Sequence, residues 1–132
     1  FHSLTKMMDE ADGVVPASPT YWYPVPSDMK RFNDRCYSLV QFPKTRSEWI
    51  GTYDGTGKFC VTAAVCEQKE EVNMGNTLTL LTDFAKDIGL NVVDSVKALN
   101  CFEAGSIRKE KAALADAEST GQRFLQQLKS FD

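Results

Sequence analysis

The stretch Lys58–Val72, KFCVTAAVCEQKEEV, decides the fold. Phe59-Cys60-Val61-Thr62 has the aromatic and β-branched content of a strand, whereas Ala63-Ala64 and the polar run Glu67 to Glu71 favour a helix. Helix is the reading adopted here. It makes the fold class all-α: a disulfide-braced antiparallel bundle of about four to five helices, with residues 1-132 forming a single secreted domain.

The segments on either side are read in the same way. Downstream, a long helical pattern starts near the cap candidate Asn76. Leu78, Leu81, Phe84, Ala85, Ile88, Val92, Val96 and Leu99 share one face up to Cys101, with Gly89 as a break or bend. Ile107, Leu114, Gly121 and Leu128 then recur every seven residues, with Ala117, Phe124 and Phe131 as a companion row, which predicts a final helix capped by Ser106. Upstream, Ser27 is an N-cap candidate for a helix over 28–41 carrying Met29, Phe32, Cys36, Leu39 and Val40. Lys44 to Gly57 is turn-rich around Trp49-Ile50 and reads as a loop. Val14 to Pro26 holds four of the five prolines and reads as an extended connector bearing Tyr21, Trp22 and Tyr23. Leu4, Met7, Met8 and Ala11 mark a short amphipathic helix from Ser3 to about Asp12, stopped at Gly13.

The four cysteines, Cys36, Cys60, Cys66 and Cys101, contain no C-x-x-C pair, so zinc-ribbon and redox-motif readings lack their spacing. Two disulfides are expected. Six residues of helix separate Cys60 from Cys66 by about 9 Å and about 120° of rotation, beyond the roughly 7 Å between Cα atoms that a disulfide tolerates. Cys60 with Cys101 and Cys36 with Cys66 is the favoured pairing, and the swapped pairing is the rival.

Composition bounds the function. At 132 residues and 14.7 kDa the chain suits one domain, and 42% hydrophobic with 25% charged residues is ordinary for a globular protein. The net charge of -3 and pI of about 5.2 argue against a nucleic-acid partner. No apolar run reaches the roughly 20 residues of a membrane span, so no membrane insertion is expected. The start at Phe1 without Met is read as the product of signal-peptide cleavage.

An active site is not visible. His2 is the only histidine, and Asp9-Glu10 and Glu70-Glu71 are neighbours that would not face each other on a helix. No glycine pattern cradles a phosphate. No catalytic or metal residue, no cofactor and no enzymatic activity are expected. Partner binding is assigned instead to the aromatics Tyr21, Trp22 and Tyr23, to Lys30, Arg31, Arg35 and Arg46, with Lys44 nearby, and to Trp49.

Phe32-Asn33-Asp34-Arg35-Cys36-Tyr37-Ser38-Leu39-Val40, the later Phe59-Cys60 to Cys66, and the helical tail after Cys101 together resemble the anopheline mosquito salivary group that includes anophensin and albicin. That resemblance implies a secreted salivary protein that blocks a host plasma cascade. In the first form the partner is the alternative-pathway C3 convertase of complement, C3b with Bb, with or without properdin. In the second it is the kallikrein-kinin contact system, through factor XII and kininogen. A small-ligand carrier using Met7, Met8, Met29, Phe84 and Phe102 is the remaining alternative.

Overall fold

Helices and strands alternate along the chain in its computed structural model, which describes residues 1–130: α1 (His2–Glu10), β1 (Gly13–Val14), β2 (Ala17–Pro19), α2 (Ser27–Arg35), β3 (Val40–Gln41), β4 (Ile50–Gly51), β5 (Phe59–Val65), α3 (Thr77–Asp87), β6 (Asn91–Ala98) and α4 (Lys111–Lys129). Short 3-10 turns cover Cys36–Leu39, Glu71–Met74 and Ser106–Lys109. The all-α expectation is therefore corrected to a mixed α/β fold built on a parallel sheet.

β5 is the central strand. β1 and β2 lie along one edge of it and β6 along the other, all parallel. The edge run breaks at Val15-Pro16, where proline has no N–H to offer the ladder, although the Pro16 carbonyl still accepts from Ala63 N at 3.0 Å. A parallel strand covered on both faces reads as a continuous apolar run rather than an alternating one. Phe59 to Thr62 are all buried, and Ala63 and Ala64 are small enough to lie beneath a helix. The predicted helix over Lys58–Val72 fails for that reason.

The long helix expected from Asn76 to Cys101 is two elements. Gly89 sits at φ +93, a left-handed conformation that ends α3, and Val92, Val93 and Val96 then suit the strand β6. Ser27 is the first residue of α2 rather than its cap, and Ser106 opens a 3-10 turn rather than capping α4. Phe131, placed in the companion row of the last helix, lies outside the described residues. Among the described residues no helix is long and apolar enough to cross a membrane.

α3 covers one face of the sheet, where the hydroxyls of Thr62 and Thr82 are 3.1 Å apart. Beneath it Met8, Cys36, Tyr53, Cys60, Ala85, Ile88 and Leu90 form one core cluster. Leu81 is fully buried nearby. Leu81→Ala is expected to cost about 3 kcal/mol and to lower the melting temperature by about 10 °C, as read by calorimetry.

α4 covers the other face. Asp94 is in register with Val61, so it points opposite to Thr62. Its Oδ2 accepts from Arg123 Nε at 3.0 Å, from Arg123 Nη2 and from Thr120 Oγ1 at 3.3 Å, while Ser95 N donates to Oδ1 at 2.8 Å. The Arg123 bonds, then that of Ser95, hold the Asp94 carboxyl below its usual range. A depressed folded-state value gives stability that is present above the unfolded carboxylate range and lost as pH falls below it. Arg123 is more than half exposed, so Arg123→Ala should cost only about 1 kcal/mol at neutral pH. That difference should shrink as pH falls through the lowered range of the Asp94 carboxyl, where the carboxylate is protonated.

The disulfide expectation is also corrected, since all four cysteines are free thiols. Cys60 and Cys66 lie near opposite ends of β5, about 20 Å apart at the rise of a strand. Cys101 follows the far end of β6, where its N–H donates to Cys66 O at 3.1 Å, so it stands away from Cys60. Cys36 packs beside Cys60 rather than Cys66. Burial pushes the Cys60 thiol up to about 12 and, against the opposing charge of Arg35, the Cys36 thiol up to about 11. The secreted reading loses the support it drew from those disulfides.

Candidate functional site

Pro19, Val65 and Ala98 stand side by side at the carboxyl ends of the three parallel strand lines. In open parallel sheets ligands sit in the crevice beyond those ends, where the departing loops separate. A cavity of about 780 Å³ opens there, walled by the loops after Pro19, Val65 and Ala98.

The loops are tied to one another by the backbone. Thr20 N donates to Val65 O at 2.8 Å, Cys66 N to Ala98 O at 2.8 Å, and Asn100 N to Gln68 O at 2.8 Å. Asn100 turns at φ 59, a conformation that asparagine tolerates. Cys66, Cys101 and the exposed Phe102 form one wall, and Glu67 and Gln68 bring polar groups to the rim. Burial, then the nearby Glu110, raises the Cys101 thiol above its usual range, and its Sγ donates to Leu99 O at 3.2 Å.

The opposite wall is the aromatic loop. Trp22 and Tyr23 adopt φ 52 and φ 74, a left-handed conformation that is uncommon and costly for bulky side chains. Several contacts impose it. Tyr21 N donates to Pro24 O at 2.9 Å, and Asn76 N, at the start of α3, donates to Tyr23 O at 2.9 Å. Thr20 Oγ1 donates to Thr77 Oγ1 at 2.9 Å, and Val25 is buried behind the loop. Gly75 approaches so closely that a Cβ there would lie 2.4 Å from Tyr23 O. In this conformation Trp22 stands 90% exposed at the mouth of the cavity.

Among the described residues Glu67 is the only charged one lining this cavity, with no Lys or Arg. An aromatic wall, a second apolar wall and polar groups at the rim suit a planar ring that stacks and hydrogen-bonds along its edges.

The residues singled out from the sequence separate into two groups. Tyr21, Trp22 and Tyr23 meet at this cavity, whereas Lys30, Arg46 and Trp49 line another between α2 and α3. Arg31 pairs with Asp28 at 2.7 Å, and the Arg35 guanidinium lies over the Phe1 ring at 4.4 Å. Asp9 accepts from Tyr53 Oη at 2.9 Å, and Glu71 pairs with Lys97 at 2.6 Å. Sequence reading missed Thr20 and Gln68, assigned Cys66 and Cys101 to disulfides, and offered Phe102 only as a lining residue of a small-ligand carrier. Strand readings of Ala17–Pro19, Phe59–Val65 and Asn91–Ala98 together would have gathered them, because each follows the end of one of these strands.

Residues 1–65, just under half of the chain, match the family described as NADPH-dependent FMN reductase. No curated protein matches. Among solved structures the chain is similar to a thermophilic tryptophan halogenase from Streptomycin violaceusniger, at 20% identity and a TM-score of 0.60, over 89% of this chain and 70% of that one. At that identity the likeness concerns the fold. The first finding is a partial match to a flavin-reductase family, and the second is a shared fold. They overturn the resemblance to the mosquito salivary group, and with it the complement-inhibitor function, the contact-activation alternative, the salivary localisation and the expectation of no enzymatic activity.

Proposed function

We propose that the cavity at the strand ends binds the planar ring system of a flavin, and that the chain forms part of the working site of a flavin-dependent oxidoreductase. The observation that carries this is the strained aromatic loop, which spends conformational energy to present Trp22 to solvent beside an apolar wall. The match over residues 1–65 takes in that loop.

The residues fit the ring portion of the cofactor. Trp22, with Tyr21 and Tyr23, would stack on one face, and Cys101 and Phe102 would close the other and exclude water. Glu67, Gln68 and the Thr20 hydroxyl would meet the polar edge. They do not fit a phosphate, since the lining offers no basic side chain and no glycine-rich cradle. A flavin bound there supplies two-electron oxidation and reduction; the protein supplies stacking, edge contacts and dryness.

Titration of riboflavin and of FMN with the chain, followed by quenching of flavin fluorescence, tests this reading. Both should bind, with affinities within about a factor of three, or about 0.7 kcal/mol. Absence of quenching with either would defeat the flavin reading, and FMN binding a hundredfold tighter would show a phosphate grip that this cavity lacks.

A further inference from the structure

β6 is an edge strand, paired among the described residues with β5 alone. Along a parallel strand, successive residues turn their N–H and C=O to alternate sides. Ala98 faces β5, because its carbonyl accepts from Cys66 N at 2.8 Å. Val96 and Asp94 therefore face β5 as well, while Ser95 and Lys97 turn their backbone groups to the open edge. A row of such groups is a template on which another strand can build, and folded proteins blunt it.

Blunting is visible here residue by residue. Val93 is the extra residue of a bulge, since Val92 pairs with Cys60 and Asp94 with Val61. Lys97 places a charge on the edge and is steadied by Glu71 at 2.6 Å. Between them, the outward N–H of Ser95 is taken by Asp94 Oδ1 at 2.8 Å. Arg123 Nε, at 3.0 Å, and Thr120 Oγ1, at 3.3 Å, hold the other carboxylate oxygen, which keeps Oδ1 on that N–H. An incoming carbonyl would find the donor used and a negatively charged oxygen in its path.

We infer that Asp94 guards this edge: by capping Ser95 N it keeps β6 from pairing with β6 of a second copy of this chain. The partner is a second copy because the edge complements itself. An antiparallel copy centred on Val96 brings Ser95 of each chain opposite Lys97 of the other, and each such pair exchanges two backbone bonds. It also sets the half-buried Val96 against Val96 of the second copy, a β-branched pair that stabilises a ladder. In each Ser95–Lys97 pair one bond is donated by Ser95 N, the group that Asp94 occupies. This guard is independent of the flavin reading.

Sedimentation velocity of the full chain and its variants, over a hundredfold range of concentration, tests the guard. Asp94→Ala should associate with itself at least tenfold more tightly than the wild-type chain, and exchange of the Lys97 amide should slow as its concentration rises. Asp94→Leu, which loses the acceptor but keeps bulk, gives the same reading if Asp94→Ala fails to fold. Asp94→Asn retains an oxygen for Ser95 N, and Arg123→Ala retains Asp94 itself, so both should associate no more tightly than wild type. The double variant Asp94→Ala, Ser95→Pro should return to wild-type behaviour, because proline has no N–H to offer the new ladder and Ser95 donates none to β5. Unchanged association in both Asp94→Ala and Asp94→Leu, tight association in Asp94→Asn, or tight association persisting in the proline double variant would each overturn the guard.

Discussion

Trp22→Gly should weaken flavin binding by between tenfold and a hundredfold while making the protein more stable. The two effects have separate causes. Stacking of a planar heterocycle on an aromatic side chain is worth about 1–3 kcal/mol, and Trp22 is the most exposed large apolar residue among those described at the cavity mouth. At φ 52 the tryptophan sits in a conformation that costs about 1–2 kcal/mol for a residue with a Cβ and nothing for glycine. Removing the ring therefore relieves strain without opening a core cavity, and unfolding should shift upward by about 1 kcal/mol. Trp22→Phe should retain most of the binding. A Trp22→Gly protein that is less stable, with unaltered flavin affinity, would make the aromatic loop structural instead.

Gly51→Ala and Gly89→Ala should be severely damaging single-methyl additions, each costing about 3 kcal/mol or more and lowering the melting temperature by about 10 °C or more. The cause is a crossing of two backbones. A Cβ on Gly51 would lie 2.2 Å from Ile88 C and 2.5 Å from Ile88 O, and one on Gly89 would lie 2.2 Å from Asp54 N. Backbone atoms cannot swing away as a flexible side chain can. Tyr53 N donates to Ile88 O at 2.9 Å, and Asp54 Oδ2 accepts from Gly51 N at 2.7 Å, which fastens the crossing. Gly89 would also be forced to keep φ +93 with a side chain. Gly55 has open space around it, and Gly55→Ala should cost only the strain of its positive φ, about 1 kcal/mol. Denaturant unfolding of the three variants side by side checks this order.

The helices were the legible part of this sequence. α1, α2 and α4 each carry an apolar stripe at helical spacing, because each lies on something with one face and meets water with the other. The sheet was hidden for the complementary reason. β5 is covered on both faces and so carries no alternation, and its alanines imitate helix former composition while answering to close packing under α3. β6 continues the apolar spacing of α3 across Gly89, so that two elements read as one. Once the strands are missed, the cysteines fall into a helical geometry they do not have, and Cys66 and Cys101 look like bridge partners for distant segments instead of neighbours on one cavity wall.

One wall of the candidate site was nevertheless marked. Tyr21, Trp22 and Tyr23 stand out among prolines whether or not a sheet is recognised, although residue type alone does not say whether they face solvent or fold back onto the core. What they face was not. Thr20, Cys66, Gln68, Cys101 and Phe102 carry no motif, and only the shared register of Pro19, Val65 and Ala98 gathers them.

Amide chemical-shift mapping on the full chain with riboflavin locates the ring most directly. The account predicts shifts concentrated at Thr20 to Tyr23, Cys66 to Gln68 and Cys101 to Phe102, with Lys30, Arg46 and Trp49 unmoved. Shifts centred on the α2–α3 cavity, or none at the strand ends, would contradict it.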